Sequence, residues 1–285
     1  MQDILSYSGN RGLSLLFDRF TKPSKTHSKN NFKLEVEEEL IRDGLAINGF
    51  VPYYQPIINS YTGKVMGAEL LVRLVKEDGR VISPFQFIDY AEKSGLIVDI
   101  TEQFLSRAFA DFNKLGWAGS DKYLSINVVP EHLTSRRLFK FIRDFVNQGV
   151  INADQIKLEI TERLEIDDLL GARSYLEDFY QFGITASLDD AGTGYGCFLY
   201  LQELGLTSLK IDKMFIDTIT ATKDTAVLNS IISLAKSLKL DIVAEGVESP
   251  NQVTYLKRRG VKAIQGYVYS HPMPVTDFID WQTIK

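Results

Sequence analysis

The sequence predicts an α/β fold, a closed barrel in which eight strands alternate with helices. Three observations predict it. Short apolar runs alternate with amphipathic stretches from residue 51 to residue 267. The runs number eight, the count that closes such a barrel. Seven of the run ends carry a residue able to bind a cation or a phosphate: Glu69, Asn127, Glu159, Asp189 with Asp190, Lys210, Glu245 and Gln265. An ordinary core strand is bounded by turn residues, so the recurrence places these ends around one rim. An open doubly wound sheet is the alternative. Its ligand would meet strands only at one switch point, and it accounts for fewer of the polar ends.

Taken in order, residues 1–33 read as an N-terminal segment and residues 34–285 as the barrel domain. Leu13, Leu15, Leu16, Phe17 and Phe20 suggest a short helix, and the polar, basic stretch 21–33 suggests a linker. Leu34, Ile41, Leu45 and Ile47 have helical spacing over 34–48. The expected strands are 51–57, 65–72, 123–128, 156–161, 184–189, 207–211, 241–245 and 263–267. The expected helices are 84–94, 101–115, 135–148, 166–182, 196–204, 224–239 and 249–259, with Ser135, Asp224 and Ser249 as N-caps.

Composition narrows the function. The apolar share of 45% can supply a full core. A formal net charge of −5 argues against a nucleic-acid polymer as partner. It leaves room for a small phosphate ligand, because bound metals reverse the charge of a local pocket. The single cysteine, Cys197, excludes an internal disulfide and fits a cytoplasmic location. It reads as a small apolar filler. No apolar run approaches the roughly 18 residues needed to span a bilayer, and residues 1–20, with Asp3 and Asp18, lack the pattern of a signal peptide.

In a barrel of this kind, functional side chains come from the C-terminal strand ends and the loops after them. Glu69, Glu159, Asp189, Asp190 and Glu245 bring five negative charges there and Lys210 one positive charge. A net −4 in a concave, partly dry site needs compensation. Two divalent cations supply it, and a set made of carboxylates and the Asn127 amide suits Mg²⁺ or Mn²⁺. His27, His132 and His271 do not fall on strand ends, which disfavours a zinc site; His132 reads as a surface cap. Adjacent Asp189 and Asp190 both turn inward only if the strand breaks there. A two-metal oxygen site suits in-line phosphoryl displacement. Lys210 would position or deprotonate the attacking water, its pKa depressed by metal charge, and the Arg73 guanidinium would hold a phosphate oxygen. Asp212 reads either as an N-cap or as a partner of Lys210.

With Glu69-Leu70-Leu71 after the second run, Asp189-Asp190-Ala191-Gly192-Thr193-Gly194 after the fifth and Lys210-Ile211-Asp212 after the sixth, residues 36–280 resemble the EAL-domain family of cyclic di-GMP phosphodiesterases. The resemblance implies a modified TIM barrel with its first strand antiparallel, hydrolysis of cyclic di-GMP to linear pGpG, and a homodimer. It implies that Glu69, Asn127, Glu159, Asp189, Asp190 and Glu245 ligate two metal ions, with Glu69, Asp189, Asp190 and Lys210 catalytic. Gln55, Leu71 and Arg73 would contact the ligand, and Gln265 would lie near the attacking water. Glu162, Asp212 and Glu248 would support the site. One departure stands out: the family has Phe where this chain has Ala191, and a Ser pair where it has Gly196-Cys197. No metal ligand is lost, but an apolar anchor shrinks in the loop that would couple dimer and site. A weak or silent cyclic di-GMP receptor, or a protein-interaction module, is the alternative.

Overall fold

The computed structural model describes residues 25–161, 166–192, 196–219 and 224–284, with side chains from residue 35 onward. Its strands are β1 (Phe50–Asn59), β2 (Val65–Val75), β3 (Val81–Ile82), β4 (Tyr123–Val128), β5 (Ile156–Thr161), β6 (Thr185–Ala191), β7 (Ser208–Ile211), β8 (Asp241–Ala244) and β9 (Ala263–Gln265). They pair in the order β1-β9-β8-β7-β6-β5-β4-β2, and β1 also pairs with β2, which closes a ring of eight. β1 runs antiparallel to both neighbours, and the other ring contacts are parallel. β3 hangs on the far end of β2, outside the ring.

Alternation along each strand sorts the residues into two cores. Leu124, Ile126, Leu158, Ile160, Leu188, Leu209, Ile211 and Ile264 join the main apolar cluster between barrel and helices. The inward positions form a separate, small cluster: Ile57, Tyr123, Val243 and Ala263, with Met66 against them. Above it the interior turns polar, with Ser125, Ser187 and Ser208 each no more than 3% exposed. A barrel interior is ordinarily filled by branched apolar side chains; here most of it belongs to the polar rim.

The helices lie close to their expected ranges, and the differences have physical causes. The first helix runs Lys25–Ala46, so residues 25–33 continue its backbone rather than forming a linker. Ser249 caps Pro250–Arg258, its hydroxyl accepting from the Gln252 amide at 3.4 Å while the Gln252 side chain accepts from Ser249 N at 2.9 Å. Asp224 Oδ1 accepts from Ala226 N at 2.8 Å, ahead of Ala226–Ser237. Ser135 is not an N-cap: it ends the short helix Pro130–Ser135, and Arg136, at φ 54°, turns the chain into Arg137–Asn147. His132 is buried, not a surface cap. Its Nδ1 accepts from Val129 N at 3.1 Å, Nε2 meets Thr101 Oγ1 at 3.0 Å, and burial pushes its pKa down to about 4. Cys197 is half-buried against the main core.

The C-terminal helix Val275–Ile284, which shows no clear sequence period, is bound by aromatic contacts. Phe278 packs on Trp117 and Tyr54 with ring centroids 5.7 Å away in each case. Gln282 accepts from Trp117 Nε1 and donates to Leu115 O, both at 3.0 Å. Among the described residues no helix is long and apolar enough to cross a membrane.

Candidate active site

Parity and stagger assemble the rim. Gln55 on β1 pairs directly with Glu69 on β2, and Asn127 on β4 with Glu159 on β5. Glu159 faces Ser187, so Asp189 lies two residues further up β6. The ladder between β6 and β7 shifts register between Leu188 and Ala191, and Asp190 takes a left-handed φ of 56°. This is the strand break that adjacent aspartates need: Asp189 and Asp190 line one cavity together.

Lys210, 1% exposed, sits in the middle. Its ammonium lies 2.7 Å from Glu159 Oε2, 3.2 Å from Asp189 Oδ1, 2.5 Å from Glu245 Oε1 and 3.6 Å from Glu69 Oε2. The Glu159 contact is a hydrogen bond, whereas Glu245 Oε1 is ion-paired without one. Burial alone would lower the lysine's pKa, but Asp189, Glu159, Glu245 and Glu69 together outweigh it and raise the pKa well above the ordinary value. Metal charge, as expected from the sequence, would depress it; the surrounding carboxylates act in the opposite sense. Burial pushes Glu159 up to about 8, against the pull of Lys210, and raises Glu245 as well.

The amides close the circle. Asn127 Nδ2 donates to Glu69 Oε1 at 2.9 Å. Gln265 Nε2 donates to Glu69 Oε2 at 2.5 Å and to Gln55 Oε1 at 3.0 Å. Gln55 Nε2 donates to Ser270 O at 3.3 Å. Gln265 Oε1 is buried without a partner. Gly266 allows the approach behind it: at φ 155°, a Cβ there would lie 2.2 Å from Val247 O and 2.3 Å from Val247 N.

The remaining candidates lie further out. Arg73, half-buried, donates to Val72 O at 2.8 Å and stacks 5.3 Å over the Tyr53 ring. Burial lowers its pKa, against the fields of Tyr53, Tyr267 and Glu69. Asp212 is an N-cap, accepting from Met214 N at 2.7 Å. Glu248 pairs with Lys213 at 3.0 Å. Glu162, Thr193 and Gly194 lie outside the described residues. A cavity of about 450 Å³ opens beside the rim, lined by Leu71, Asn127, Asp189 and Asp190 and walled by Phe85 and Ile88. Phe85, 92% exposed, belongs to a wall that sequence reasoning missed, because a lone aromatic after Pro84 carries no local sign of a cleft.

Among the described residues, no three His, Cys, Asp or Glu side chains stand ready-made to hold a metal ion. The geometry explains why: the Lys210 ammonium lies among the carboxylates, and both Glu69 oxygens already accept amide N–H groups. The donor set nevertheless fits hard cations. It offers only oxygen, carries excess negative charge, and includes Glu245 Oε1 and Gln265 Oε1, two buried oxygens lacking hydrogen-bond donors.

The EAL domain matches residues 38–272. The probable cyclic di-GMP phosphodiesterase PdeB of Escherichia coli is 35% identical over 249 residues, 87% of this chain and 48% of that protein. The cyclic di-GMP phosphodiesterase PdeL of Escherichia coli is 35% identical over 260 residues, 90% of this chain and 71% of that protein. This chain thus spans about half the length of PdeB. Among solved structures, the PaMucR phosphodiesterase in its cyclic di-GMP complex aligns with TM-score 0.77 and 32% identity, covering 85% of this chain and 99% of that one.

Proposed function

The chain belongs to the EAL domain family, and on that premise we propose that it hydrolyses one phosphodiester of cyclic di-GMP to linear pGpG. The observation that carries the reading is the convergence of Glu69, Glu159, Asp189 and Glu245 within 3.6 Å of one ammonium. Relatives named as cyclic di-GMP phosphodiesterases support the substrate. In the reaction, a water oxygen bonds to phosphorus, the bond from phosphorus to one ribose 3′ oxygen breaks, and a water proton ends on that oxygen.

Glu69, Asn127, Glu159, Asp189, Asp190 and Glu245 would hold two Mg²⁺ or Mn²⁺ ions. Bound there, the ions supply Lewis acidity at the phosphate and acidify water at neutral pH. The chain's own side chains do the rest. Lys210 holds a proton at Nζ beside the reacting phosphate and orients the incoming water. Gln265, fixed through its amide to Glu69 and Gln55, presents its unpartnered Oε1 to the same region. Arg73 offers its guanidinium to a phosphate oxygen, and Leu71 lines the cleft that takes the nucleotide. Glu162, Asp212 and Glu248 act as supports. Domain limits of 1–33 and 34–285 follow from the same reading. So do a cytoplasmic location and a homodimer, the latter supported by exposed Leu170, Phe198 and Leu199.

The test is incubation with cyclic di-GMP and Mg²⁺ or Mn²⁺, with and without EDTA. Appearance of pGpG that EDTA abolishes is the expected result. Tight binding without product would make the chain a receptor, and absence of both would make it an interaction module.

A further inference from the structure

A second concavity lies at the opposite end of the barrel. It measures about 800 Å³, within the range of small-molecule sites. Its walls come from the turn between β1 and β2, the approach to β4, the approach to β9 and the C-terminal helix. Lys64, Lys122 and Lys262 line it, against one acid, Asp121, so its balance is +2 in a chain of net −5. None of the three ammonium groups has a hydrogen-bond or ion-pair partner among the described residues.

Exposed lysines alone would not make a site. The second observation is Tyr123. It is 6% exposed and lines the cavity, and its hydroxyl has no partner among the described residues. The ring is buried while the hydroxyl itself stays accessible, so it is a donor open to a ligand in the cavity. The Lys157 ammonium lies 4.1 Å from its ring centroid, outside the cavity lining, and the charges of Asp241 and Glu159 act on it. Asn59 also lines the cavity, and its Oδ1 is taken by Tyr61 N at 2.9 Å and Thr62 N at 3.2 Å, which leaves its amide as a donor.

We infer that this basal cavity binds a small phosphomonoester. The free groups are almost all donors and cations, which calls for an anion. They are lysines, point charges that suit the tetrahedral oxygens of phosphate, with no arginine fork for a planar carboxylate. Val65 and Met66 supply an apolar wall for an organic part. The cavity is concave and local, unlike the extended basic stripe that tracks a nucleic-acid backbone. The inference is independent of the proposed reaction.

The probe is ribose 5-phosphate, with ribose as the control, titrated by calorimetry and by backbone amide shifts. Saturable binding is expected, with shifts at Gly63, Lys64, Tyr123 and Lys262. Lys64→Gln/Lys262→Gln changes only exposed side chains and should weaken binding about tenfold, since two phosphate-facing charges are lost. Tyr123→Phe should weaken it several-fold. Glu69→Gln, and Lys93→Gln/Lys140→Gln with the same charge change at exposed positions outside the cavity lining, should leave it unaltered. The inference is overturned by absence of saturable binding, by equal binding of ribose, by shifts centred on Gln55 and Gln265, or by equal weakening in both lysine pairs.

Discussion

Lys210→Met keeps most of the side-chain length but removes the positive charge that four carboxylates surround. Coulomb's law at an effective dielectric of about 20 assigns about 6 kcal/mol to the 2.7 Å contact with Glu159. Desolvation of a fully buried ammonium offsets much of that. The cost of deleting one partner from a buried ion pair, about 3–5 kcal/mol, is the net figure to expect. For a domain of this size that corresponds to roughly 10 °C in melting temperature. The assay is urea unfolding followed by circular dichroism at neutral pH, wild type against variant, first in EDTA and then in millimolar Mn²⁺. In EDTA the variant should be less stable by the stated amount. Adding Mn²⁺ should stabilise the variant more than the wild type, because the cations no longer compete with an ammonium for the same oxygens. A loss below about 1 kcal/mol in EDTA would mean that the carboxylates do not depend on Lys210 for their charge balance, and would refute the reasoning.

Glu69→Gln should lower turnover of cyclic di-GMP by about 10²–10³-fold while the circular dichroism spectrum is kept, since one charge is lost from the rim with little change of volume; product assays check it. Gly266→Ala should cost about 3 kcal/mol or more in urea unfolding, because its Cβ would meet Val247 backbone atoms at 2.2–2.3 Å. His132 titrates near 4 when folded against about 6.5 when unfolded. The unfolded chain therefore binds the proton first, so this histidine's contribution is whole above about pH 6.5 and falls by about 3 kcal/mol as the pH drops to about 4. Stability measured across that window should slope less in His132→Gln. Ca²⁺ added to the Mn²⁺ form should slow formation of pGpG, because its longer and looser coordination would misplace the reacting groups; undiminished rates in excess Ca²⁺ would contradict the assignment of the site to Mg²⁺ or Mn²⁺.

The eight ring strands were legible, most clearly where two signals agree, whereas the two-residue β3 was not expected. In β4, Leu124, Ile126 and Val128 supply the outward apolar face, and Ser125 and Asn127 the inward polar one. The pattern cannot be satisfied in any other register without burying the wrong set. The antiparallel first strand was visible only through resemblance, since Pro52 to Ile58 is apolar apart from Gln55 and carries no sign of its direction. Helix Lys213–Ile216 escaped notice because four residues show no period. His132 was misjudged for a different reason. Its neighbours Pro130 and Glu131 read as surface residues in the sequence although both are half-buried, while its side-chain partner Thr101 comes from a helix 31 residues earlier.

The composition of the rim was legible from charge alone, for five acids at strand ends demand a counter-ion whatever their exact placement. The state of Lys210 was not. A lysine among acids and metals has its pKa set by distances, and the competing effects have opposite signs. At 2.5–3.6 Å from four carboxylates their field outweighs burial and keeps the ammonium charged. The same oxygens that make the site attractive to divalent ions thus hold a proton-bearing competitor. Glu69 shows the consequence most clearly, since its two oxygens accept from Asn127 and Gln265 as well as facing Lys210. Under the proposed ligand set, a cation entering this rim would compete with those donors for the Glu69 oxygens. Such competition would link cation occupancy to the orientation of Gln55, Asn127 and Gln265, whose amides are joined to Glu69 through this network.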